Sequence, residues 1–339
     1  MVVTYLRPAV FALFLLSPQL NLPALAYQSE LDASSARISP TRSRESAARE
    51  ARPGDRDVPE ANLRVDTSLV LIPAQVTTHE GAPIANLKRG DFRIYEDGSK
   101  QEITYFATDD APISIGLLFD SSGSMRNKKK NSSEAAAAFF RTANLDDEFF
   151  LIEFDERPRL AVPFTKDIGL LSHEINHSRP FGRTALFDAI QMALGLMKNA
   201  HHDRKALVIV SDGGDNRSRH TFSAIRSAIL EADVQLYSMG IFDPEGVKPG
   251  SPEESKGPEL LDQLAEISGG RNFPISKLEN LAEVSGQIGQ LLRNQYLLGY
   301  NPSNVSRDGL YRGIKLDVVA PVDTAARVQY RKGYYAPRQ

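Results

Sequence analysis

The chain has 339 residues, 41% of them hydrophobic, which is enough for one large domain with an appendage or for two domains. A net charge of −3, from 40 basic and 43 acidic residues, is that of an ordinary soluble protein and lacks the basic excess that nucleic-acid binding calls for. Cysteine is absent, which excludes a disulfide framework, thiol catalysis and a lipid-modified N-terminal cysteine.

At the N-terminus, Arg7 precedes the apolar run Pro8–Leu16, and Ala24-Leu25-Ala26 supplies a small-x-small cleavage site before Tyr27. Residues 1–26 therefore read as a secretory signal peptide, cleaved after Ala26, and the protein is expected to be secreted or periplasmic. The run is about half the roughly 20 residues that a spanning helix needs, so no transmembrane anchor is expected after cleavage. Residues 27–60 mix Ser, Arg, Glu and Pro without apolar periodicity and read as a disordered linker.

Residues 61–110 read as a β flank. Leu69–Val76 alternates weakly, and Phe92–Tyr95 and Glu102–Phe106 flank Asp97-Gly98, a hairpin signal. The tripeptide Arg89-Gly90-Asp91 lies just before it and is too short to carry an argument. From Ala111 strands alternate with helices. The strands are Ile113–Asp120, Glu148–Phe154, a short edge at Arg159–Phe164, Ala206–Ser211 and Val234–Ile241. Helices are predicted at Ser132–Thr142, opened by an Asn131/Glu134 capping box, and at Ile168–His177, Ala185–Asn199, Thr221–Ala232, Glu259–Ile267 and Leu278–Arg293. That alternation over 111–294 specifies an α/β fold with a doubly wound, mostly parallel sheet. Residues 295–339 return to β, with Tyr296–Tyr300, Ile314–Val318 and Val328–Tyr330. The two β-rich flanks are expected to form one small β-sandwich, with the Rossmann-like domain inserted between them.

The apolar run 113–119 ends in Asp120 at a buried strand tip. Asp120, Ser122 and Ser124 then alternate in a Gly-containing loop, three hard oxygen ligands that suit a Mg²⁺-like cation. This Asp-x-Ser-x-Ser pattern resembles the first element of the metal-ion-dependent adhesion site of von Willebrand factor type A domains. Phe181–Ile190 resembles the second element, with Thr184 in the place of the metal-binding threonine, and Ala206–Gly214 the third, ending in Asp212. If the strand order is the usual one, Asp120 and Asp212 end neighbouring strands at the point where the order reverses. The resemblance implies a Mg²⁺ site, with Mn²⁺ or Ca²⁺ as substitutes, formed by Asp120, Ser122, Ser124, Thr184 and Asp212. It further implies a binding protein, not an enzyme, whose cation bridges to an acidic side chain of a protein partner.

The competing reading is a zinc-dependent metallopeptidase. His173-Glu174-Ile175-Asn176-His177 is an H-E-x-x-H string on a predicted helix, which would place two imidazoles on one face with Glu174 as general base. Pro180 and Arg183 stand where the extended pattern needs Gly and His, and the alternative Glu-x-x-Asp element, Glu259-Leu260-Leu261-Asp262, lies far downstream inside the α/β alternation. The run Lys128-Lys129-Lys130 above the site reads most simply as a solvated loop, or as an electrostatic selector of acidic partners.

Overall fold

A computed structural model describes residues 69–108, 111–242, 255–275, 280–319 and 326–338. The leader and linker expected at 1–60 lie outside the described residues. The chain opens with β1 (Val70–Thr77), β2 (Phe92–Glu96), β3 (Ser99–Gln101) and β4 (Ile103–Ala107), then enters β5 (Ile113–Asp120) and α1 (Lys129–Phe140). Next come β6 (Glu148–Phe154), β7 (Pro158–Thr165), α2 (Ile168–His177), α3 (Leu186–Met197) and β8 (Arg204–Ser211). After α4 (Phe222–Ala232) follow β9 (Gln235–Ile241), α5 (Gly257–Ser268), β10 (Arg271–Ile275) and α6 (Leu281–Arg293). The described chain ends with β11 (Tyr296–Tyr300), β12 (Tyr311–Val318), β13 (Arg327–Tyr330) and β14 (Gly333–Tyr335).

Six strands form the central sheet in the order β10-β9-β8-β5-β6-β7, parallel except for β7 at the edge. Every residue of β5 is buried, as a strand covered on both faces must be. One face packs Ile115, Leu117 and Phe119 against Phe139 of α1, Ile175 of α2 and Ile288 of α6. The other packs Leu118 and Phe150 against Ile190 of α3, Ile225 of α4 and Leu264 of α5. Gly116 lies where a Cβ would come within 2.3 Å of the Phe150 ring, so β5 and β6 approach without a side chain there. The order reverses at β5: the chain adds β6 and β7 on one side of it, then β8, β9 and β10 on the other.

The flanks make two antiparallel four-stranded sheets, β13-β1-β11-β4 and β14-β12-β2-β3. Their inner faces share one core, with Ile72, Ile94, Leu298, Tyr300 and Leu316 all buried. The expected sandwich is therefore present, although its strand assignment differs from the reading of the sequence. Asp97-Gly98 returns the chain into β3, and β4 crosses to the opposite sheet to pair with β11. Each sheet thus interleaves strands from both ends of the chain, and Tyr105 on β4 is exposed. Within this core the Glu96 carboxylate accepts the hydroxyls of Tyr300 (2.6 Å) and Tyr334 (2.9 Å). Burial, and then the neighbouring carboxylate, push both tyrosines up.

The sandwich docks at the end of the central sheet where its parallel strands begin. Gln75 of β1 donates to the hydroxyl of Tyr237, and Gln295 donates to Gln235 Oε1 at 2.6 Å; Gln235 is the first residue of β9. Arg331 binds Asp233 at 3.1 Å, and its guanidinium also donates to the carbonyl of Leu71 at 3.0 Å. This leaves the opposite end of the sheet, where β5 and β8 terminate, clear of the sandwich.

The interleaving makes the flanks interdependent. A chain ending at Asn294 loses both neighbours of β1 and the main partner of β2, and a remnant of two or three strands is marginal alone. Limited proteolysis of that truncation is expected to cut within 70–107 while the α/β part, 111–294, persists. Resistance across 70–107 would mean that the N-terminal flank folds without its C-terminal partner strands.

Candidate metal centre

Three loops meet at the C-terminal ends of β5 and β8. The first begins at Asp120, which is 1% exposed, and turns through Ser122 into a 3-10 turn, Gly123–Lys128, that runs directly into α1. This continuation is why α1 starts at Lys129 and the capping box expected at Asn131 does not open the helix. The second loop, 178–185, leads into α3 and carries Thr184, 4% exposed. The third follows β8 and starts at Asp212, 2% exposed.

Backbone hydrogen bonds join the loops. Gly123 N donates to Gly182 O at 3.0 Å and Phe181 N to Ser121 O at 2.8 Å, tying the first loop to the second. Thr184 N donates to Asn216 Oδ1 at 3.0 Å, and Thr184 O accepts from the amides of Asn216 and Arg217, tying the second to the third. Asp188, near the start of α3, clamps the far end of the third loop through His220 Nδ1 (2.7 Å) and the amides of Arg219 and His220. Gly213 has φ of +81°, and a Cβ there would collide with the Gly257 backbone at the start of α5, so glycine is required.

Asp120 Oδ1 accepts the amide of Ser122 at 2.9 Å and Oδ2 the hydroxyl of Ser211 at 2.5 Å. Ser122 Oγ and Ser124 Oγ lie 3.1 Å apart. Asp212 Oδ1 accepts the amide of Gly214 at 3.3 Å, and its Oδ2 accepts Lys128 Nζ at 2.7 Å. Burial, followed by the charge of Asp212, raises Asp120 to about 7 against the downward pull of its hydrogen bonds to Ser122 and Ser211.

The fold brings the loops bearing all five predicted residues to one crevice. The two carboxylates and three hydroxyls carried by these loops would supply a hard-oxygen donor set, and a small divalent cation would relieve two buried like charges. The residues present fit such an ion. Sequence reading leaves Ser211 and Asn216 unmarked, because single polar residues after a strand or inside a loop leave no periodic signal, and it marks Lys128 only as one of a run above the site. The lysine run is not a uniformly solvated loop: Lys128 enters the crevice, and Lys129 donates to the carbonyls of Asn176 and Ser178. Only Lys130 of the three is plainly exposed, 3.9 Å from Glu134.

The H-E-x-x-H string does lie on a helix, α2. The rings of His173 and His177 are 4.2 Å apart, and His177 Nδ1 hydrogen-bonds the carbonyl of His173 at 2.8 Å. Among the described residues no group of three or more His, Cys, Asp or Glu is placed to hold a metal. The peptidase reading therefore lacks its third ligand.

Residues 115–214 match the sequence model of the von Willebrand factor type A domain. No curated protein matches the chain. Among solved structures it is similar to a von Willebrand factor type A protein from Catenulispora acidiphila, at 13% identity over 80% of this chain and 74% of that one, with a TM-score of 0.46. It is also similar to BatB from Bacteroides thetaiotaomicron, at 16% identity over 53% of this chain and 98% of that one, with a TM-score of 0.41. The von Willebrand factor domain of the type V pili tip protein Mfa5 from Porphyromonas gingivalis matches at 14% identity, over 54% and 95%, with a TM-score of 0.41. No helix among the described residues is long and apolar enough to cross a membrane.

The raised Asp120 fixes the sign of a pH dependence. Its folded value of about 7 exceeds the ordinary 3.8, so the folded protein retains a proton that the unfolded chain releases. The stability tied to that proton is full below about 4 and is lost as pH rises through about 7. In chelator, Asp120→Asn is expected to gain on the wild type across that window, by at most about 4 kcal/mol. Urea unfolding at pH 5 and pH 8 checks this, and an equal difference at both would contradict the buried acid pair.

Proposed function

We propose that the chain is an exported binding protein that holds Mg²⁺ at Asp120, Ser122, Ser124, Thr184 and Asp212 and uses it to bind a carboxylate of a protein partner. The observation that carries this reading is the convergence of the three loops, with their hard-oxygen side chains, around two buried acids at the strand-order reversal. Mn²⁺ and Ca²⁺ are the substitutes that the same donors would accept. Bound there, the cation supplies a Lewis-acidic contact for an anionic oxygen. The serines and threonine contribute no charge, so the ion would remain under-neutralised and attractive to an acidic side chain. The leader at residues 1–26 supports delivery to the periplasm or the exterior.

The chain's own residues shape the contact. Phe181 is 67% exposed, and its amide is fixed to Ser121 O beside the crevice. An exposed aromatic ring on a pinned backbone is a suitable anchor for a protein surface. A cavity of about 480 Å³ adjoins the same loop and is lined in part by Ser121, Asp155, Glu174 and His177, leaving room for a partner side chain next to the bridging one.

Metal titration into chelator-treated protein, followed by thermal unfolding, tests the centre directly. Stabilisation should grow as RT ln(1 + [L]/Kd), reaching roughly 3 kcal/mol at about 100 times Kd. Ser122→Ala combined with Thr184→Ala should abolish the shift while the protein stays folded. No shift for the wild type at millimolar Mg²⁺ or Mn²⁺ would sink the metal centre.

The partner side is tested by capture of cell-surface and secreted proteins with and without chelator. Phe181→Ala is expected to weaken capture at least tenfold while leaving the metal-induced thermal shift unchanged. Capture that is indifferent to chelator would remove the metal bridge from the reading.

A further inference from the structure

The crevice already contains a cation that belongs to the chain. Lys128 Nζ lies 2.7 Å from Asp212 Oδ2, with 17% of the lysine side chain and 3% of the aspartate side chain exposed. Lys128 is the last residue of the 3-10 turn that starts at Gly123, so the loop supplying Ser122 and Ser124 also delivers this ammonium. Its backbone is held in place, because Ser132 Oγ donates to Lys128 O at 2.9 Å. The adjacent lysines do other things, one binding backbone carbonyls and the other facing solvent. The contact therefore belongs to one position and not to a diffuse basic patch.

We propose that Lys128 is an internal counter-cation of the metal centre, competing with the divalent ion for Asp212 and setting how tightly that ion is held. The inference rests on the metal-centre reading given above. A divalent ion that approaches Asp212 meets an ammonium already bound to one carboxylate oxygen. Either the ammonium leaves or two like charges share a partly buried crevice, and both lower the metal affinity. A lysine suits the role, since its ammonium is compact and strongly hydrated and its stem of four carbons lets it swing to solvent. Once displaced it stays tethered to the rim, where a partner carboxylate arrives. Metal and acidic partner then favour each other's binding, because the carboxylate gives the displaced ammonium a new counter-charge. The centre would load weakly with metal alone and firmly with partner present.

Isothermal titration of the full-length mature chain with Mn²⁺ is the test, comparing wild type with Lys128→Met, Lys128→Gln and Lys128→Arg. The two neutral variants are expected to bind one Mn²⁺ at least tenfold tighter than wild type, and Lys128→Arg to stay within about threefold of it. Adding Ser122→Ala and Thr184→Ala to Lys128→Met should remove the tight site, which places it in the crevice. Thermal unfolding supplies a second readout. In chelator Lys128→Met should melt below wild type, because Asp212 loses its partner, and in saturating Mn²⁺ the order should reverse. If wild type binds Mn²⁺ and both neutral variants match it within twofold or bind more weakly, the counter-cation role is overturned and the metal centre stands. If neither wild type nor variant binds Mn²⁺, the metal centre itself falls and this inference with it.

Discussion

Two aspartates, Asp120 and Asp212, are forced into one buried crevice because they follow adjacent parallel strands on either side of a strand-order reversal. Like charges in a poorly solvated place are costly, and much of the local structure is arranged around that cost. Asp120 is met by an amide and a hydroxyl, Asp212 by an amide and an ammonium. Gly213 and Gly257 lack the Cβ atoms that would hold α5 away from the third loop, so the crevice closes on that side. Hydrogen bonding alone does not cancel the effect, since Asp120 still sits well above its ordinary value. The meeting point of rigid strands thus holds two acids whose mutual cost the fold's own donors offset only in part.

The rest of the molecule determines what such a cation can meet. The sandwich occupies the end of the sheet where the parallel strands begin, held there by the Gln75–Tyr237–Gln235–Gln295 network and by Arg331. The crevice lies at the other end, bordered by loops that are short and pinned to one another. Pre-fixed loops of this kind lose little conformational entropy on binding, which favours recognition of an external group over remodelling. The sandwich is thus a mount that leaves the crevice facing outward, and Phe181 adds the one large exposed apolar side chain on the second loop.

How much of this could be read from the residues depended on the range of the interactions. The apolar runs that form β5 and β8 are continuous and end in acids, so both the strands and their tips are evident in the sequence. β10 was missed because Arg271-Asn272-Phe273-Pro274-Ile275 holds a proline and only two large apolar residues, and it becomes a strand by pairing with β9 at the edge. The return strand after Asp97-Gly98 was misplaced for a related reason. Local turn chemistry specifies the turn, but the departure of β4 to the other sheet is decided by its long-range pairing with β11. The particular role of Lys128 is hidden in a different way. Three consecutive lysines look alike in sequence, and only the 3-10 turn that aims the first one inward separates their roles.

The sandwich core also buries a carboxylate, and the contrast between that setting and the crevice is informative. Glu96 is 2% exposed in the sandwich core, where its Oε2 accepts the hydroxyls of Tyr300 and Tyr334 from two different strands. Those donors reach the carboxylate on rigid aromatic side chains, and the arrangement is closed on itself, locking β2, β11 and β14 together. In the crevice the chemistry is different. The hydroxyls of Ser122 and Ser124 turn towards each other while two acids stand close enough to raise Asp120. The chain evidently can neutralise the cost of a buried carboxylate with hydroxyl donors, since it does so for Glu96. At the strand tips it instead sets two acids side by side, with loops bearing short hydroxyl side chains pinned to one another around them.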